Sequence, residues 1–278
     1  MAPPSPVLIG VVGDSGSGKT TLSSCIAHAV GTERATLICL DDYHRYDRTE
    51  RERRGITALD PECNRLDLVA EHLAALRAGS AITKPVYDHH DGTFGPDEVV
   101  EPREIIVVRG LLGLHTEALT RCFDLSVFLD PDPDLRVRWK VERDCAKRGY
   151  SRGEVLEQIA QRRPDADRFI APQRHRADLV IRFAPGTNRA GGAGDPHLDM
   201  QITVRRVEQP TGAQAVPQTT QSSAPGVTAT GSPTAARTLA GQRIVPMVLS
   251  AAEWARDIHA APRSPVSPRP PDQYPVTS

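Results

Sequence analysis

A glycine-rich loop near the N-terminus restricts the fold more than any other feature of the chain. The loop reads GDSGSGKT and fits the phosphate-binding pattern GxxxxGK[ST]; the apolar run Val7–Val12 precedes it, and apolar residues at helical spacing follow over Lys19–Val30. Glycines let backbone N–H groups turn toward phosphate oxygens, and a helix N-terminus adds its positive dipole. The pattern predicts an ATP-phosphate site formed by Gly13, Asp14, Ser15, Gly16, Ser17, Gly18, Lys19, Thr20 and Thr21.

The alternative interpretation of this loop is a surface turn rich in serine and glycine, but such a turn does not require the strand and the helix that flank it. In the phosphate-binding interpretation, Lys19 contacts the β- and γ-phosphates and the Thr20 hydroxyl binds Mg²⁺. The loop predicts nucleotide binding and does not specify the group that accepts the phosphoryl.

Apolar runs typical of strands alternate with helical patterns along the first 207 residues. Strands are predicted at 7–12, 35–40, 105–108, 125–129, 178–183 and 200–206, and helices at 19–30, 65–78, 134–148 and 151–162. Ser151 is the expected N-cap of the last helix, with Pro164 just beyond its end. This alternation predicts an α/β protein of the P-loop NTPase type, a mostly parallel sheet with helices on both faces.

The composition changes sharply after the predicted domain at residues 1–207. More than half of the 24 prolines lie at or beyond Pro185, and residues 211–241 are mostly Thr, Ala, Gln, Ser, Pro and Gly. Such a segment buries too little apolar surface to offset the entropy lost on ordering. We therefore predict that 208–278 is a low-complexity, mostly disordered tail. Its apolar stretch, Arg243–Ala261, is either a short docking element or a sticky patch in a disordered tail, and the composition favours the patch.

The charge balance and the cysteines exclude several classes of protein. Lys and Arg total 34 against 35 Asp and Glu, a net charge of −1, so no overall positive field attracts nucleic acid or a membrane surface. No apolar run reaches the roughly 18 residues of a membrane helix, and residues 1–6 lack the features of a signal peptide. The five cysteines are scattered without a CxxC motif, which is typical of reduced thiols. The chain is expected to be cytoplasmic and to bind neither nucleic acid nor membranes.

Polar residues follow the second predicted strand in the order Asp41-Asp42-Tyr43-His44. Ligands of doubly wound sheets bind at the carboxyl ends of strands, where a carboxylate can accept the proton of an attacking hydroxyl. From the residues alone, this role and that of a turn or helix cap are equally favoured for the two aspartates. His44 and Arg48, four residues apart, are placed to contact a substrate phosphate, although for His44 alone a structural role is favoured.

A strongly charged helix is predicted over residues 134–148. Its residues Lys140, Arg143, Asp144 and Arg148 lie on neighbouring positions of one side. This side either closes over the phosphates of ATP and a sugar phosphate or is an ordinary solvated face, and the helix taken alone favours the solvated face.

The order of these motifs resembles the phosphoribulokinases, within the phosphoribulokinase/uridine kinase family of P-loop kinases. The resemblance runs from about Val7 to Phe183 and depends on GDSGSGKTT, CLDDYHRYDR, GITALDPECNRLDL, KPVYDHHDG, VVRGLLGLHT, WKVERDCAKRGYS and RRPDADRFIAPQ. It implies that ATP phosphorylates D-ribulose 5-phosphate to ribulose 1,5-bisphosphate, a step of Calvin-cycle carbon fixation, with Mg²⁺ as cofactor and a homodimer as the assembly. Uridine or nucleoside kinase activity is one alternative, and a catalytically weak, regulatory nucleotide-binding paralogue is another.

The resemblance also implies roles for individual residues. Asp41 corresponds to the general base and, with Thr20, to a magnesium ligand. The sugar-phosphate and substrate side corresponds to His44, Arg48, Tyr87, His89 and Arg148. The remaining catalytic positions, on the helix of the lid, correspond to Lys140, Arg143 and Asp144.

Three departures from the family pattern change what we expect of this chain. Arg109 stands where the family usually has a glutamate that helps to hold Mg²⁺, so we expect impaired turnover with nucleotide binding retained. Cys39 matches one cysteine of the redox pair of photosynthetic eukaryotes, but Ser17 occupies the other position, so activity should not respond to dithiols. The β-rich C-terminal extension of the family is recognisable at most through Asp199–Val207.

Overall fold

The computed structural model describes residues 5–186, 198–204, 227–230, 246 and 248–253. Nine strands and six α-helices are named within these ranges. In chain order they are β1 (Val7–Gly13), α1 (Lys19–Val30), β2 (Ala35–Cys39), α2 (Arg48–Arg54), α3 (Leu66–Arg77), β3 (Ile82–Asp88), β4 (Thr93–Val100), β5 (Ile105–Gly110), α4 (Glu117–Arg121), β6 (Leu125–Leu129), α5 (Pro133–Arg148), α6 (Arg152–Asp165), β7 (Leu179–Pro185), β8 (Leu198–Val204) and β9 (Val227–Thr230).

A seven-stranded sheet in the order β2-β5-β1-β6-β7-β8-β9 forms the centre of the molecule. The strands β2, β5, β1, β6 and β7 run parallel, whereas β8 is antiparallel to β7 and β9 is parallel to β8. In this order the carboxyl ends of β1, β2 and β5 meet at one edge of the sheet, where the loops that follow them lie close together. The predicted α/β fold with a mostly parallel sheet is confirmed.

The sheet is covered on both faces because successive side chains of its central strand point to opposite sides. Leu8 and Val12 of β1 belong to one buried cluster, which includes the apolar stripe of α3. Ile9 and Val11 belong to a second cluster, together with apolar residues of α1 and Trp139 of α5. Burial on both faces explains why these strands are continuous apolar runs in the sequence.

Most predicted elements are present, with shifts of one to three residues at their ends, but the end of α6 was predicted incorrectly. Ser151 caps α6 in a capping box with Glu154, as predicted. Pro164, however, lies inside the helix, which continues to Asp165 and then widens into a π-helical turn over Ala166–Ile170. A proline removes one backbone donor but can still occupy a helix whose local geometry adjusts, and the wider turn is such an adjustment.

The β3–β4 hairpin was not predicted from the sequence. Both strands contain a proline, and the pairing shifts register between Lys84 and Val86, around Pro85. Most residues of β4 are exposed, so the strand lacks the apolar alternation that identifies a half-buried strand. Among the described strands, β3 and β4 pair with each other and with no strand of the main sheet.

Part of the predicted tail belongs to the folded unit. Residues 246 and 248–253 are helical, and Val248, Ala251 and Ala252 are buried in the second core cluster with Leu198 and Met200 of β8. Their spacing places the three side chains on one helical face. The favoured interpretation of this stretch as a sticky patch in a disordered tail was therefore wrong for these residues, and β9 was not predicted. The rest of 208–278, and with it most of the tail prediction, lies outside the described residues.

Candidate active site

The glycine-rich loop connects β1 to α1 with the backbone geometry that its sequence predicts. Gly16 has a φ of 84° and Gly18 a φ of 93°, both in the left-handed region. A Cβ atom on Gly16 would lie 2.8 Å from the Cβ atom of Lys140, so α5 packs directly against the loop at this glycine. The Ser17 hydroxyl is buried and has no hydrogen-bond partner among the described residues, a free polar group where a phosphate is expected.

Lys19 begins α1, and its ammonium group turns back toward the loop. Its Nζ donates to the carbonyl oxygens of Gly13 at 2.9 Å and Asp14 at 2.8 Å. Burial lowers the pKa of Lys19 to about 8, while the negative charges of Asp41 and Asp14 oppose that shift. Lys19 therefore remains mostly protonated at neutral pH, and a bound polyphosphate would stabilise its charge further.

Asp41 lies just after β2, in a short 3₁₀ turn over Leu40–Tyr43. Its Oδ2 is 3.5 Å from Nε2 of His89. Burial alone would raise the pKa of Asp41, but the hydrogen bond from His89 and the nearby charge of Lys19 outweigh burial and hold it well below its usual range. The carboxylate is thus ionised, and the charge of Lys19 in the loop contributes to its low pKa.

The neighbouring Asp42 has a structural role. Its carboxylate accepts from Lys84 Nζ at 2.7 Å and from the backbone N–H of Tyr87 at 3.1 Å. Lys84 also pairs with Glu98 at 3.1 Å. Asp42 therefore attaches the β3–β4 hairpin to the end of β2, and the structure separates two adjacent aspartates that the residues alone left equal.

His44 is buried and neutral. Its Nδ1 is 2.9 Å from Oδ1 of Asn64, and its ring meets that of Tyr87 edge to face with centroids 4.9 Å apart. Burial lowers the pKa of His44 to about 4, although Asp41 opposes the shift. The imidazole carries no positive charge at neutral pH, so in this state it cannot contribute an ionic contact to a substrate phosphate.

Arg48 and Tyr87 organise the hairpin around His89. Arg48 donates through Nη2 to the carbonyl oxygen of His89 at 2.7 Å and through Nη1 to that of His90 at 3.4 Å. The Tyr87 hydroxyl accepts from Nη2 of Arg51 at 2.6 Å, and its ring lies 5.2 Å from that of His89. The predicted phosphate contact Arg48 is therefore bonded to the turn that carries His89. Sequence reasoning missed Arg51, since a buried arginine in a helix of mostly charged residues has no local signal.

Asp144 is fully buried and joins three cationic side chains of α5. Lys140 Nζ lies at 2.5 Å, Arg143 Nε at 2.8 Å and Arg148 Nη1 at 3.5 Å from its carboxylate. Burial opposes ionisation, but Arg143 and Lys140 lower the pKa of Asp144 to about 2. Only 3% of the Lys140 side chain is exposed, so the interpretation of this helix side as an ordinary solvated face was wrong.

Helix α5 also contacts the phosphate-binding loop through Arg136, which sequence reasoning missed. Arg136 Nη1 lies 2.9 Å from Asp14 Oδ2 and 3.2 Å from the carbonyl oxygen of Ser15, while Arg143 Nη2 lies 3.3 Å from the Ser15 hydroxyl. Arg136 precedes Lys140 by one helical turn, and that spacing is the signal that identifies it. The cationic side of α5 and the loop form one continuous group.

An open cavity of about 480 Å³ lies apart from this group. It is lined by Arg45, Tyr46, Arg65, Asp67 and Leu68. None of the residues predicted to bind ATP or to act in catalysis lines it. The loop and α5, by contrast, contact each other directly, through Arg136 with Asp14 and Arg143 with Ser15.

Few described side chains could bind Mg²⁺. Within the ranges that the structure describes, no group of three or more His, Cys, Asp or Glu side chains could hold a metal ion. Thr20 at the start of α1 and the ionised Asp41 are oxygen donors of the type that Mg²⁺ prefers, and this cation commonly takes its other ligands from substrate phosphates and water. The chain therefore fits a cation that arrives with the nucleotide and fits a dedicated protein site poorly.

Arg109 ends up beside Cys39, its register partner across β2 and β5. Burial raises the pKa of the Cys39 thiol to about 11, although Arg109 opposes the shift. A thiol with so high a pKa is protonated and unreactive at neutral pH.

Gln173, in the RRPDADRFIAPQ stretch, is buried and holds the loop that follows Arg109. Its side-chain amide bonds the backbone of Leu111 and of Leu114, each at 2.8 Å.

No helix among the described residues combines the length and the apolar character that crossing a bilayer requires.

The sequence matches a protein-family model over more than half of the chain. The model of the "Phosphoribulokinase / Uridine kinase family" matches residues 8–189. A phosphoribulokinase of Synechocystis sp. is 43% identical over 179 residues, which are 64% of this chain and 54% of that protein. A uridine kinase of Oceanobacillus iheyensis is 34% identical over 209 residues, which are 73% of this chain and 95% of that protein.

The chain is also similar to a solved structure, but it covers only part of the length of some relatives. The structure of a phosphoribulokinase from Rhodobacter spheroides has a TM-score of 0.56 at 20% identity, covering 73% of this chain and 81% of that chain. At 20% sequence identity, this similarity is evidence for a shared fold alone. The chain spans about half the length of the phosphoribulokinases that it matches in sequence, as the chloroplastic phosphoribulokinase of Triticum aestivum also illustrates, with 38% identity and 49% of its length covered.

Proposed function

The chain belongs to the phosphoribulokinase/uridine kinase family, and on that premise we propose that it transfers the γ-phosphoryl group of ATP to a hydroxyl of D-ribulose 5-phosphate. The observation that carries the proposal is the phosphate-binding loop after β1 together with the Asp41 carboxylate just after β2, at the same edge of the sheet, with each of Lys19 and Asp41 influencing the other's pKa. A phosphoryl acceptor needs a carboxylate that orients its hydroxyl beside a bound triphosphate, and we assign that role to Asp41, with Lys19 on the phosphates.

In this mechanism the chain acts mainly by positioning and by electrostatic stabilisation. Backbone N–H groups of residues 13–20 and the Lys19 ammonium hold the β- and γ-phosphates, and Asp41 accepts a hydrogen bond from the acceptor hydroxyl and then its proton. Thr20 and Asp41 would hold Mg²⁺, which neutralises charge on the phosphates when it is bound. A carboxylate with so low a pKa is a weak base, so proton transfer is expected late, once the new bond to phosphorus is largely formed.

The cationic group on α5 supports an anionic acceptor. Arg143 and Arg148 are both about one-third exposed and both pair with the single carboxylate of Asp144, so positive charge is in excess around it. Such charge would stabilise the transferring phosphoryl and a sugar phosphate better than a neutral nucleoside. Burial lowers the pKa of Arg148, and the negative charge of Asp41 opposes that shift.

A nucleoside acceptor is the second candidate, and two observations favour it. His44 is neutral and therefore lacks the ionic contact that a sugar phosphate would use. The chain also matches nearly the whole of a uridine kinase but only half of the phosphoribulokinases. A cytoplasmic location and a homodimer remain predictions.

Release of ADP by the purified full-length chain, with MgATP and either ribulose 5-phosphate or uridine, tests the proposal. We expect turnover with the sugar phosphate and its loss in Asp41→Asn. Asp42→Asn is the matched control: both variants should lower the melting temperature, because His89 loses the Asp41 charge in one and Lys84 loses one of its two charged partners in the other. Only the folded fraction of Asp42→Asn should keep its turnover. Preference for uridine would transfer the assignment to the nucleoside kinases, and nucleotide binding without turnover would favour the regulatory paralogue.

A further inference from the structure

Asn64 is buried, and its side-chain amide is held in a single orientation by three contacts. Its Nδ2 donates to the carbonyl oxygens of Ala58 at 3.1 Å and Asp60 at 2.8 Å. Carbonyl oxygens only accept, so the NH₂ group must face them and Oδ1 must face His44. The amide is thereby oriented by the loop 57–61, independently of the imidazole that it contacts.

This orientation decides which nitrogen of His44 carries the proton. Oδ1 of Asn64 is an acceptor and lies 2.9 Å from Nδ1 of His44. The imidazole must therefore donate from Nδ1, and a neutral ring that is protonated on Nδ1 has a lone pair on Nε2. The opposite tautomer would bring a lone pair on Nδ1 against the lone pairs of Oδ1, at the cost of an unsatisfied buried group.

We propose that Asn64 is a positioning residue that fixes the proton of the buried His44 imidazole on Nδ1, so that Nε2 accepts a hydrogen bond from a hydroxyl of the acceptor substrate. The inference rests on the proposed function, because it assumes that the acceptor binds beside Asp41. In this role His44 accepts a hydrogen bond from a substrate hydroxyl, whereas the sequence predicted that it contacts a substrate phosphate as a cation. The recognition of polyhydroxylated substrates then depends in part on Asn64.

The surroundings of the ring agree with this role. Tyr87 packs edge to face on His44 at 4.9 Å and on His89 at 5.2 Å, so the three rings form one block. His89 in turn contacts the Asp41 carboxylate at 3.5 Å. The negative charge of Asp41 favours protonation of His44, whereas Arg51 and His89 oppose it. The block therefore holds a neutral imidazole at the side of an ionised carboxylate.

The tautomer can be measured on the full-length chain without any substrate. Imidazole ¹⁵N shifts distinguish the two neutral forms, and the His44→Gln variant identifies the signal. At neutral pH we expect the Nδ1-protonated form in the wild type and its loss in Asn64→Leu. A wild-type His44 protonated on Nε2, or a form unchanged in Asn64→Leu, would overturn the inference.

Affinity for ribulose 5-phosphate, measured as Kd by titration, tests the second half of the proposal independently of turnover. A single hydrogen bond is at stake, so Asn64→Leu should weaken binding about three- to tenfold. The matched control is Thr57→Val. Thr57 lies in the same loop as Ala58 and Asp60, and its hydroxyl donates to the Asp165 carboxylate at 2.6 Å. Because Thr57 does not contact His44, its replacement should lower the melting temperature without changing the tautomer of His44 or the Kd.

The outcomes separate the inference from the proposed function. Equal weakening in Asn64→Leu and Thr57→Val would show that the loop matters only as structure and would refute the positioning role. An unchanged Kd in Asn64→Leu, with the tautomer changed, would also refute it. Failure of the wild type to bind any sugar phosphate would contradict the proposed acceptor and remove the hydroxyl contact, while the ¹⁵N result still decides whether Asn64 sets the tautomer.

Discussion

Replacing Asp144 by asparagine should destabilise the protein strongly at neutral pH. The carboxylate is fully buried and pairs with Lys140, of which only 3% is exposed. The pKa of about 2, against an ordinary aspartate near 4, corresponds to about 2.5 kcal/mol of native-state stabilisation. Removing the charge also leaves the Lys140 ammonium buried without its partner, and breaking one side of a buried pair costs about 3–5 kcal/mol. Because Arg143 and Arg148 can turn to solvent, we expect a loss of about 3 kcal/mol.

Urea unfolding at pH 7 measures this loss, and a double-mutant cycle assigns it. Lys140→Met in the Asp144→Asn background should recover at least about 1.5 kcal/mol, because the uncompensated buried ammonium is then absent. Glu117→Gln is the matched control, since Glu117 and Arg121 form a pair at the same spacing that is about three-quarters exposed on both sides. The control should change the free energy of unfolding by less than about 0.5 kcal/mol.

The same pair predicts a pH dependence. The pKa of Asp144 is lowered in the folded state, so its stabilising contribution is complete above about pH 4 and is lost as pH falls toward 2. The wild type should therefore lose more stability over this range than the Lys140→Met/Asp144→Asn protein. The reasoning would be refuted if Asp144→Asn changed the free energy of unfolding by no more than the Glu117→Gln control, or if the cycle showed no coupling.

Three further predictions concern residues outside this pair. Arg109→Glu should raise the rate of ADP release by about an order of magnitude or more, the scale of one charge contact in the transition state, with little change in nucleotide affinity; an unchanged rate would contradict the inhibitory role of Arg109. Activity should not change on treatment with dithiothreitol, because Cys39 is a protonated thiol and Ser17 offers no partner; a clear thiol-dependent rise would disprove this. Val248→Asp should lower the free energy of unfolding by about 3 kcal/mol or more in chemical denaturation, because it buries a charge in the second core cluster, and a loss below about 1 kcal/mol would show that the segment does not dock.

The fold could be predicted from local patterns because its central strands are buried on both faces. An apolar run such as Val7–Val12 followed by a glycine loop and a helix leaves few other arrangements, and the capping box at Ser151 identifies the start of α6 without tertiary information. The β3–β4 hairpin escaped prediction because its stability comes from Asp42, Lys84 and Glu98, which are distant in sequence. Pro164 was misjudged because the helix end adjusts to it.

The residues of the candidate site likewise divide into those that the sequence predicted and those that it could not predict. Residues of the phosphate-binding loop follow from a contiguous motif, since the backbone of one loop performs the binding. The difference between Asp41 and Asp42 could not be predicted, because it depends on which carboxylate accepts from Lys84 of β3 and which contacts His89 at the turn of the hairpin. The state of His44 likewise depends on a residue twenty positions away, Asn64, and on burial.

The amino-acid sequence alone determined the class of fold, the phosphate-binding loop and the family of the chain, because each depends on residues that are adjacent or regularly spaced. Only the tertiary structure decided which aspartate stays free for chemistry, which histidine stays neutral and which part of the C-terminal region joins the core. These properties arise from burial and from charges brought together across long stretches of chain, and no short window of sequence contains that information.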